Sequence, residues 1–343
     1  MPVGGQAARI RAVDVPVRWH EGMSIYASEP FLRAFGDEYG WIGGVGAKDR
    51  LRCVLPFTIV RMAQVRMARF RVETIPVDED FGVQEEREFL ESAMSLLRAK
   101  GADLVIPAST NTVFRTFPRG AIAAPYSSYI IDLTVPLELL WGNLSHKYRK
   151  DIRGAEKKGV TIVKGIERLD AAYEIILGTF KRSRLPFMSY KDFRKNHLDL
   201  APHMELMIAE HGGIPQSSTS FHFSKYSAYS VHGGSILGAV PGAMKMLQWE
   251  AIKSFWELGV RRFDLLGARV DPAKGSKQEG ILLFKRYFGG RPTEGYMWKY
   301  YLRPLKSAVY SLAVRVLRGG DIVDAERHKL KSNPSPDDSP ADC

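Results

Sequence analysis

Apolar positions recur along the chain in two rhythms. Between Glu85 and Lys100 they fall at Phe89, Ala93, Leu96 and Leu97, the spacing of one helical face, with Gly101 placed to end it. The same period predicts helices at Ala171–Lys181, Tyr190–His197, Lys245–Leu258 and Gly280–Tyr287. A last amphipathic helix carries Leu305, Val309, Leu312 and Val316 within 304–331. Ser28 before Glu29-Pro30 reads as the cap of another helix. Short apolar or alternating runs predict strands at Trp41–Val45, Arg52–Val60, Leu104–Pro107, Tyr129–Leu133, Val160–Val163, Leu206–Ala209, Thr219–Phe223, Ala228–Val231, Arg262–Leu265 and Tyr296–Tyr301. Residues 1–20 read as a lead-in, and 332–343, rich in Pro, Ser and Asp, as a disordered tail.

Leu137–Gly159 reads as one helix. Leu144, Tyr148, Ile152 and Ala155 share an apolar face, while Lys147, Lys150, Arg153, Lys157 and Lys158 lie off it. Strands interleaved with helices in both halves indicate an α+β (mixed α/β) class, with a boundary near 135. No sequence repeat marks a duplication.

The chain has 343 residues, 45% hydrophobic, enough for large cores, and this excludes wholesale disorder. Its 49 Lys and Arg against 38 Asp and Glu give a net charge of +11, which favours an anionic partner. Two cysteines exclude a disulfide framework and fit a reducing compartment. The first thirty residues are charged throughout, and no run approaches the roughly 18 apolar residues of a membrane span, so a cytoplasmic location is expected. The eight histidines show no metal-ligand spacing, and no metal is expected. His222 and His232 fall on strands and are candidate general bases or hydrogen-bonded structural histidines.

Three segments carry candidate chemistry. The first is the cationic helix, able to neutralise phosphates or simply to face solvent. The second runs from Leu247-Gln-Trp-Glu-Ala-Ile into Phe263-Asp-Leu265. The third is Glu279-Gly-Ile-Leu-Leu-Phe-Lys-Arg-Tyr-Phe-Gly-Gly290, where Lys285 among aromatics could act on an oxyanion or phosphate at a cleft wall, or snorkel to the surface.

In this order, after Asp132-Leu-Thr134 and Trp141, the three segments resemble the Fem family of aminoacyltransferases (the FemA, FemB and FemX type) within the GNAT superfamily. The resemblance covers roughly residues 125–300. It implies two GNAT-like lobes with a central cleft: an N-terminal lobe over 1–135, and a C-terminal lobe over 136–303 followed by the helical segment 304–331. It implies transfer of an amino acid from aminoacyl-tRNA to an amine, on a small-molecule or lipid-linked acceptor of the peptidoglycan-precursor kind, without a cofactor. The family's Phe-Lys pair falls on Phe284 and Lys285, the lysine stabilising the donor or oxyanion. Arg182, Arg184, Tyr190, Tyr229 and His232 stand where acceptor contacts are expected, and Lys147, Lys150, Arg153 and Lys157 where tRNA phosphates are.

The long coiled-coil arm of some members has no counterpart here. The Arg/Gln-x-x-Gly-x-Gly/Ala loop of acetyl-CoA users is absent, and His232-Gly-Gly-Ser-Ile-Leu-Gly-Ala is wrongly spaced for it. An acyl-CoA-dependent N-acyltransferase remains the alternative. A non-catalytic RNA- or membrane-binding protein using the cationic and C-terminal helices is the third reading.

Overall fold

A computed structural model describes residues 10–62, 64–108, 112–318 and 320–332, apart from the side chains of 309, 313, 315–318 and 329–332. The first half begins with strand β1 (Arg11–Asp14), helix α1 (Glu29–Phe35) and strands β2 (Glu38–Val45), β3 (Leu51–Met62) and β4 (Val65–Arg69). A two-residue strand β5 (Ile75–Pro76), helix α2 (Val83–Ala99) and strand β6 (Leu104–Val105) complete it. Ser28 caps α1 as its sequence predicts, its Oγ accepting from the Phe31 amide at 3.3 Å.

Strand β7 (Ile122–Asp132) leads to helices α3 (Leu137–Asn143) and α4 (His146–Lys157) and strand β8 (Val160–Lys164). Helices α5 (Leu169–Arg182) and α6 (Tyr190–Asp199) follow, then strands β9 (Met204–His211), β10 (Ile214–Phe223) and β11 (Ala228–Ser235). Helix α7 (Ala243–Glu257), strand β12 (Arg262–Ala268), helix α8 (Lys277–Tyr287) and strand β13 (Arg291–Tyr301) complete this half. Helices α9 (Pro304–Arg318) and α10 (Ile322–Ser332) end the described chain.

The duplication invisible in the sequence is plain in the strand pairing. In the first half β1, β2, β3 and β4 pair antiparallel in succession, α2 crosses over, and β6 returns parallel to β4. In the second half β8, β9, β10 and β11 pair antiparallel, α7 crosses over, and β12 returns parallel to β11. Strands β13 and β7 lie side by side between the two units, from Arg291 opposite Ile130 to Lys299 opposite Ile122. They join β6 on one side to β12 on the other in a single mixed sheet. Mixed α/β architecture in two lobes of one topology is therefore observed.

Three sequence expectations are corrected. The lead-in contains β1, a four-residue edge strand too short and polar for its alternation to stand out. The helix over 137–159 is two helices: Leu144 is extended and buried, and Ser145 starts α4 by accepting from the Tyr148 amide. The C-terminal segment 304–331 is also two helices, the second opened by Asp321 Oδ1 accepting from the Asp324 amide. The apolar face proposed for it at Val309 and Val316 lies outside the described side chains, and the tail beyond Ser332 outside the described residues.

Side chains alternate across the second lobe's sheet. Phe221 of β10 meets Phe255 of α7, and Thr219 accepts from Gln248 of the same helix, while Ser220 between them meets His197 of α6. Helices α4, α7 and α8 thus cover one face and α5 and α6 the other. One apolar cluster joins the lobes, with Ile25, Tyr26, Phe31 and Val72 of the first packed on Leu200 and Tyr229 of the second. Burying each large side chain contributes roughly 1.5–3 kcal/mol. Among the described residues no helix is long and apolar enough to cross a membrane.

Candidate active site

The parallel pair β11–β12 holds for two registered positions only, Ala228 with Phe263 and Tyr229 with Asp264. Beyond Tyr229 the two strands part, and the backbone edge of β11 has no strand on that side. Two irregularities shape the opening. The register of β10 on β11 slips so that Val231 is an extra residue, and it therefore faces the same side as its neighbour His232. On β12 the pairing with β7 breaks between Asp264 and Gly267, and Leu266 adopts a left-handed φ of 65°.

Beside this split is a cavity of about 510 Å³ between the lobes. The first lobe contributes Tyr26, Phe31, Phe35 and Arg71. The second lobe supplies Val231, His232 and Leu266 at the split, His222 and His197 along the floor, and Phe180 and Phe193 from the covering helices. Leu185 and Met188, in the connection between α5 and α6, form its lip. The equivalent parting in the first lobe is filled: Phe70, Phe114 and Trp298 pack ring to ring there and leave a space of about 10 Å³. Between the described residues of the two splits, the second is the one with room for a ligand.

Burial sets the charge state of the cavity. It pushes the His232 imidazole down to about 4, helped by the charges of His197 and Arg71. The His232 ring stands edge-on to Phe187 at 5.1 Å and Phe180 at 5.9 Å, and no hydrogen bond among the described residues engages its nitrogens. His222 is driven well below the ordinary range by the same desolvation and stands edge-on to the rings of Tyr26 and Phe31. His197 is also lowered by burial; its Nδ1 donates to the Phe193 carbonyl at 2.8 Å and its Nε2 accepts from Ser220 at 3.0 Å. All three are neutral at pH 7. Arg71 keeps its charge, although burial lowers it to about 10, and its guanidinium lies 4.5 Å from the Phe35 ring centroid.

Lys285 reaches β12 from the opposite face of the sheet. It is 6% exposed and does not line the cavity. Its Nζ donates to the carbonyls of Leu266 and Gly267 at 2.7 and 2.6 Å, clamping the irregular turn that puts Leu266 into the cavity wall. Burial lowers it to about 8, opposed by nearby Asp264. Asp264 is raised to about 6 by burial, and its Oδ1 accepts from Ser128 Oγ at 2.8 Å and from the Leu266 amide at 2.7 Å. Phe284 packs against the core beside Tyr148 and Phe288.

The structure gathers some of the sequence-selected residues and disperses others. His232 lines the cavity. Tyr229 is buried at its base, stacked on Tyr26 with its hydroxyl 2.8 Å from Ser24 Oγ. Arg182 is exposed and ties α5 to the end of β11 through the Ser235 carbonyl at 2.5 Å. Arg184 is exposed in a turn, and Tyr190, also exposed, hydrogen-bonds Asp170. None of these three lines the cavity. Lys147, Lys150, Arg153 and Lys157 form an exposed cationic face on α4, across the sheet from the cavity. Sequence reading missed Arg71 and the wall from α1, because these residues reach the site only through the packing of one lobe on the other. Among the described residues no group of three or more side chains is placed to hold a metal.

No family model matches the chain, and no curated protein matches its sequence. Solved structures do match. The crystal structure of FemX superposes with a TM-score of 0.63 at 15% identity, over 83% of this chain and 94% of that one. The C-terminal domain of a protein described as a lysylphosphatidylglycerol synthetase, from Agrobacterium fabrum, matches at 0.50 and 14%, over 77% and 86%. A tandem GNAT protein from the clavulanic acid biosynthesis pathway matches at 0.48 and 13%, over 80% and 86%. The chain has a fold like that of FemX.

Proposed function

We propose that the protein is an acyltransferase that moves an aminoacyl group from aminoacyl-tRNA to an amine held in the inter-lobe cavity. The observation that carries this reading is the split between β11 and β12, which opens onto a cavity of neutral histidines on one face of the sheet and onto Lys285 on the other. The donor carbonyl lies in the split, where the unpaired edge of β11 and the Lys285 cation favour the charge that develops on its oxygen. The acceptor nitrogen attacks the carbonyl carbon from the cavity side. The C–N bond forms, the ester C–O bond breaks, and the amine proton passes through His232 to the departing ribose hydroxyl.

Two features support tRNA over acyl-CoA as donor. The cationic face of α4 lies on the Lys285 side of the sheet, where it can neutralise phosphates of a long donor. The N-terminus of α7, where a pyrophosphate would find free amides, is covered. Its N-cap Gly242 (φ +93°) sits so close to α4 that a Cβ there would collide with the Asp151 carbonyl, and Lys245 of its first turn is paired with the Asp151 carboxylate. The carbonyl repels a phosphate, and the carboxylate already occupies the lysine that could bind one.

Purified protein incubated with a pool of radiolabelled aminoacyl-tRNAs and a small-molecule extract is expected to transfer label in an RNase-sensitive manner. A triple variant, Lys147→Glu, Lys150→Glu, Lys157→Glu, is expected to bind tRNA at least about tenfold more weakly at physiological salt, with a shallower dependence of affinity on salt. No transfer from any tRNA, together with thermal stabilisation by acyl-CoA, would replace the donor.

A further inference from the structure

Three segments meet at the mouth of the cavity. The last turn of α5 and the residues after it run through Lys181, Arg182 and Arg184 to Leu185 at the cavity lip. Arg182 holds this stretch against the loop after β11 through the Ser235 carbonyl, and Leu237 follows two residues later. Lys277, at the start of α8, donates from Nζ to Ser183 Oγ at 2.6 Å and adds a fourth cation. All four cations are exposed, and among the described residues no carboxylate pairs with any of them. Between them stand two large apolar side chains in water, Leu185 at 56% exposure and Leu237 at 81%. We propose that this rim docks on an anionic lipid bilayer, the cations lying against the headgroups while Leu185 and Leu237 enter the interface, so that the cavity takes its amine from the membrane surface. The last clause rests on reading the cavity as the acceptor pocket; the docking itself does not.

Three observations favour a bilayer over other anionic partners. The first is the pairing of charge with exposed leucine. Residues 181–195 carry six Lys or Arg against one Asp, so the rim attracts an anionic surface. RNA phosphates would engage the cations but leave Leu185 and Leu237 in water, whereas the boundary between headgroups and acyl chains takes up both. The second is position. The other cationic face, on α4, lies across the sheet, so a polynucleotide and a bilayer can be held on opposite sides at once. The third is continuity. Leu185 and Met188 pass from the rim into a cavity walled by Phe180, Phe193 and Leu266, so an apolar group leaving the interface stays in apolar surroundings. Among the described residues no helix can span a membrane, and the contact is therefore a surface one.

The test is flotation of the full chain with two kinds of vesicle, phosphatidylcholine alone and one part phosphatidylglycerol to two of phosphatidylcholine, with no donor present. The protein is expected to bind the anionic vesicles about tenfold or more tighter than the neutral ones. Leu185→Ser with Leu237→Ser should weaken that binding about tenfold or more, and Lys181→Gln with Arg184→Gln should do the same at low salt. These side chains are exposed, so the melting temperatures of both double variants should match wild type and separate lost docking from lost fold. A Leu237→Trp probe should shift its emission to the blue on anionic vesicles. Excess tRNA should leave the protein on the vesicles, because the two bind opposite faces. Equal binding to both vesicles, no binding to either, an unmoved Trp spectrum, or displacement by tRNA would each overturn the proposal. So would binding that survives in the leucine variant but is lost in Lys147→Glu, Lys150→Glu, Lys157→Glu or in Leu305→Ser with Leu312→Ser, which would move the contact to α4 or α9. Because the assay contains no donor, docking stands even if transfer from tRNA fails, and transfer without docking would overturn the membrane contact alone.

Discussion

His232→Ala is expected to lower the turnover number for transfer by about 10²–10⁴-fold while leaving acceptor binding within a few-fold of wild type. The split between effects follows from the geometry. His232 meets the cavity at the point where β11 and β12 part, and its rotamer is held by Phe187 and Phe180, which a smaller residue leaves in place. The aromatic wall against which an acceptor would pack is left in place by the substitution. His232→Gln restores a hydrogen-bonding group without a basic nitrogen, so it should remain as slow as the alanine variant. Equal turnover in wild type and His232→Gln would sink the role.

The same histidines make the fold acid-sensitive, and the sign can be worked out. A histidine lowered in the folded state is neutral there while its unfolded counterpart is already binding a proton near 6.5. Stability is therefore full above about 6.5 and declines as pH falls toward 4. For His232 alone the loss approaches about 3 kcal/mol at pH 4. His197 and His222 act in the same direction. Thermal melts between pH 4 and 7 should show His232→Ala losing less stability on acidification than wild type.

Much of this arrangement was legible in the residues, for reasons that differ along the chain. The helices with a clean apolar stripe were readable, because α2 and α7 bury one face on a sheet. The start of β10 was not. Ser217, Ser218, Thr219 and Ser220 are all buried, and a run of hydroxyls inside a sheet looks like a loop until its partners on both sides are known. Lys285 stood out by its aromatic neighbours, but its target did not. The carbonyls it clamps belong to β12, and their exposure depends on a pairing irregularity that no local pattern encodes. Arg182 and Tyr190 came from the family resemblance alone, and the fold directs them to a backbone carbonyl and a surface carboxylate. Arg71 shows the opposite limit: it lies two residues past the end of β4, and only the docking of α1 against the second lobe turns it into a cavity wall.

Lys285→Met is expected to reduce transfer by about 10²–10³-fold, the usual cost of removing one preorganised donor, while shifting the melting temperature by only a few degrees. Stability changes little because two effects oppose. Lowering the ammonium from 10.5 to about 8 reflects a burial cost of about 3 kcal/mol that methionine escapes. The carbonyls of Leu266 and Gly267 then lose their donor, at roughly 1–3 kcal/mol each. The pH profile separates a charged role from mere packing. In the wild type kcat/KM should fall as Lys285 deprotonates near pH 8, whereas folding stability from this group should rise between about 8 and 10.5 as its burial cost is relieved. Both features should vanish in Lys285→Met. Asp264→Asn supplies the cross-check. The amide oxygen can still accept from Ser128 and the Leu266 amide, and the buried charge that raises Asp264 to about 6 is gone, so this variant should be about 1–3 kcal/mol more stable than wild type at pH 7.5. The gain should disappear below pH 4, where the wild-type carboxyl is neutral in both states. Without the Asp264 charge favouring its ammonium, Lys285 should lose its proton at lower pH, moving the alkaline limb of kcat/KM below 8. A limb that stays at 8 in Asp264→Asn, or persists in Lys285→Met, would assign it to another group and leave Lys285 with packing alone.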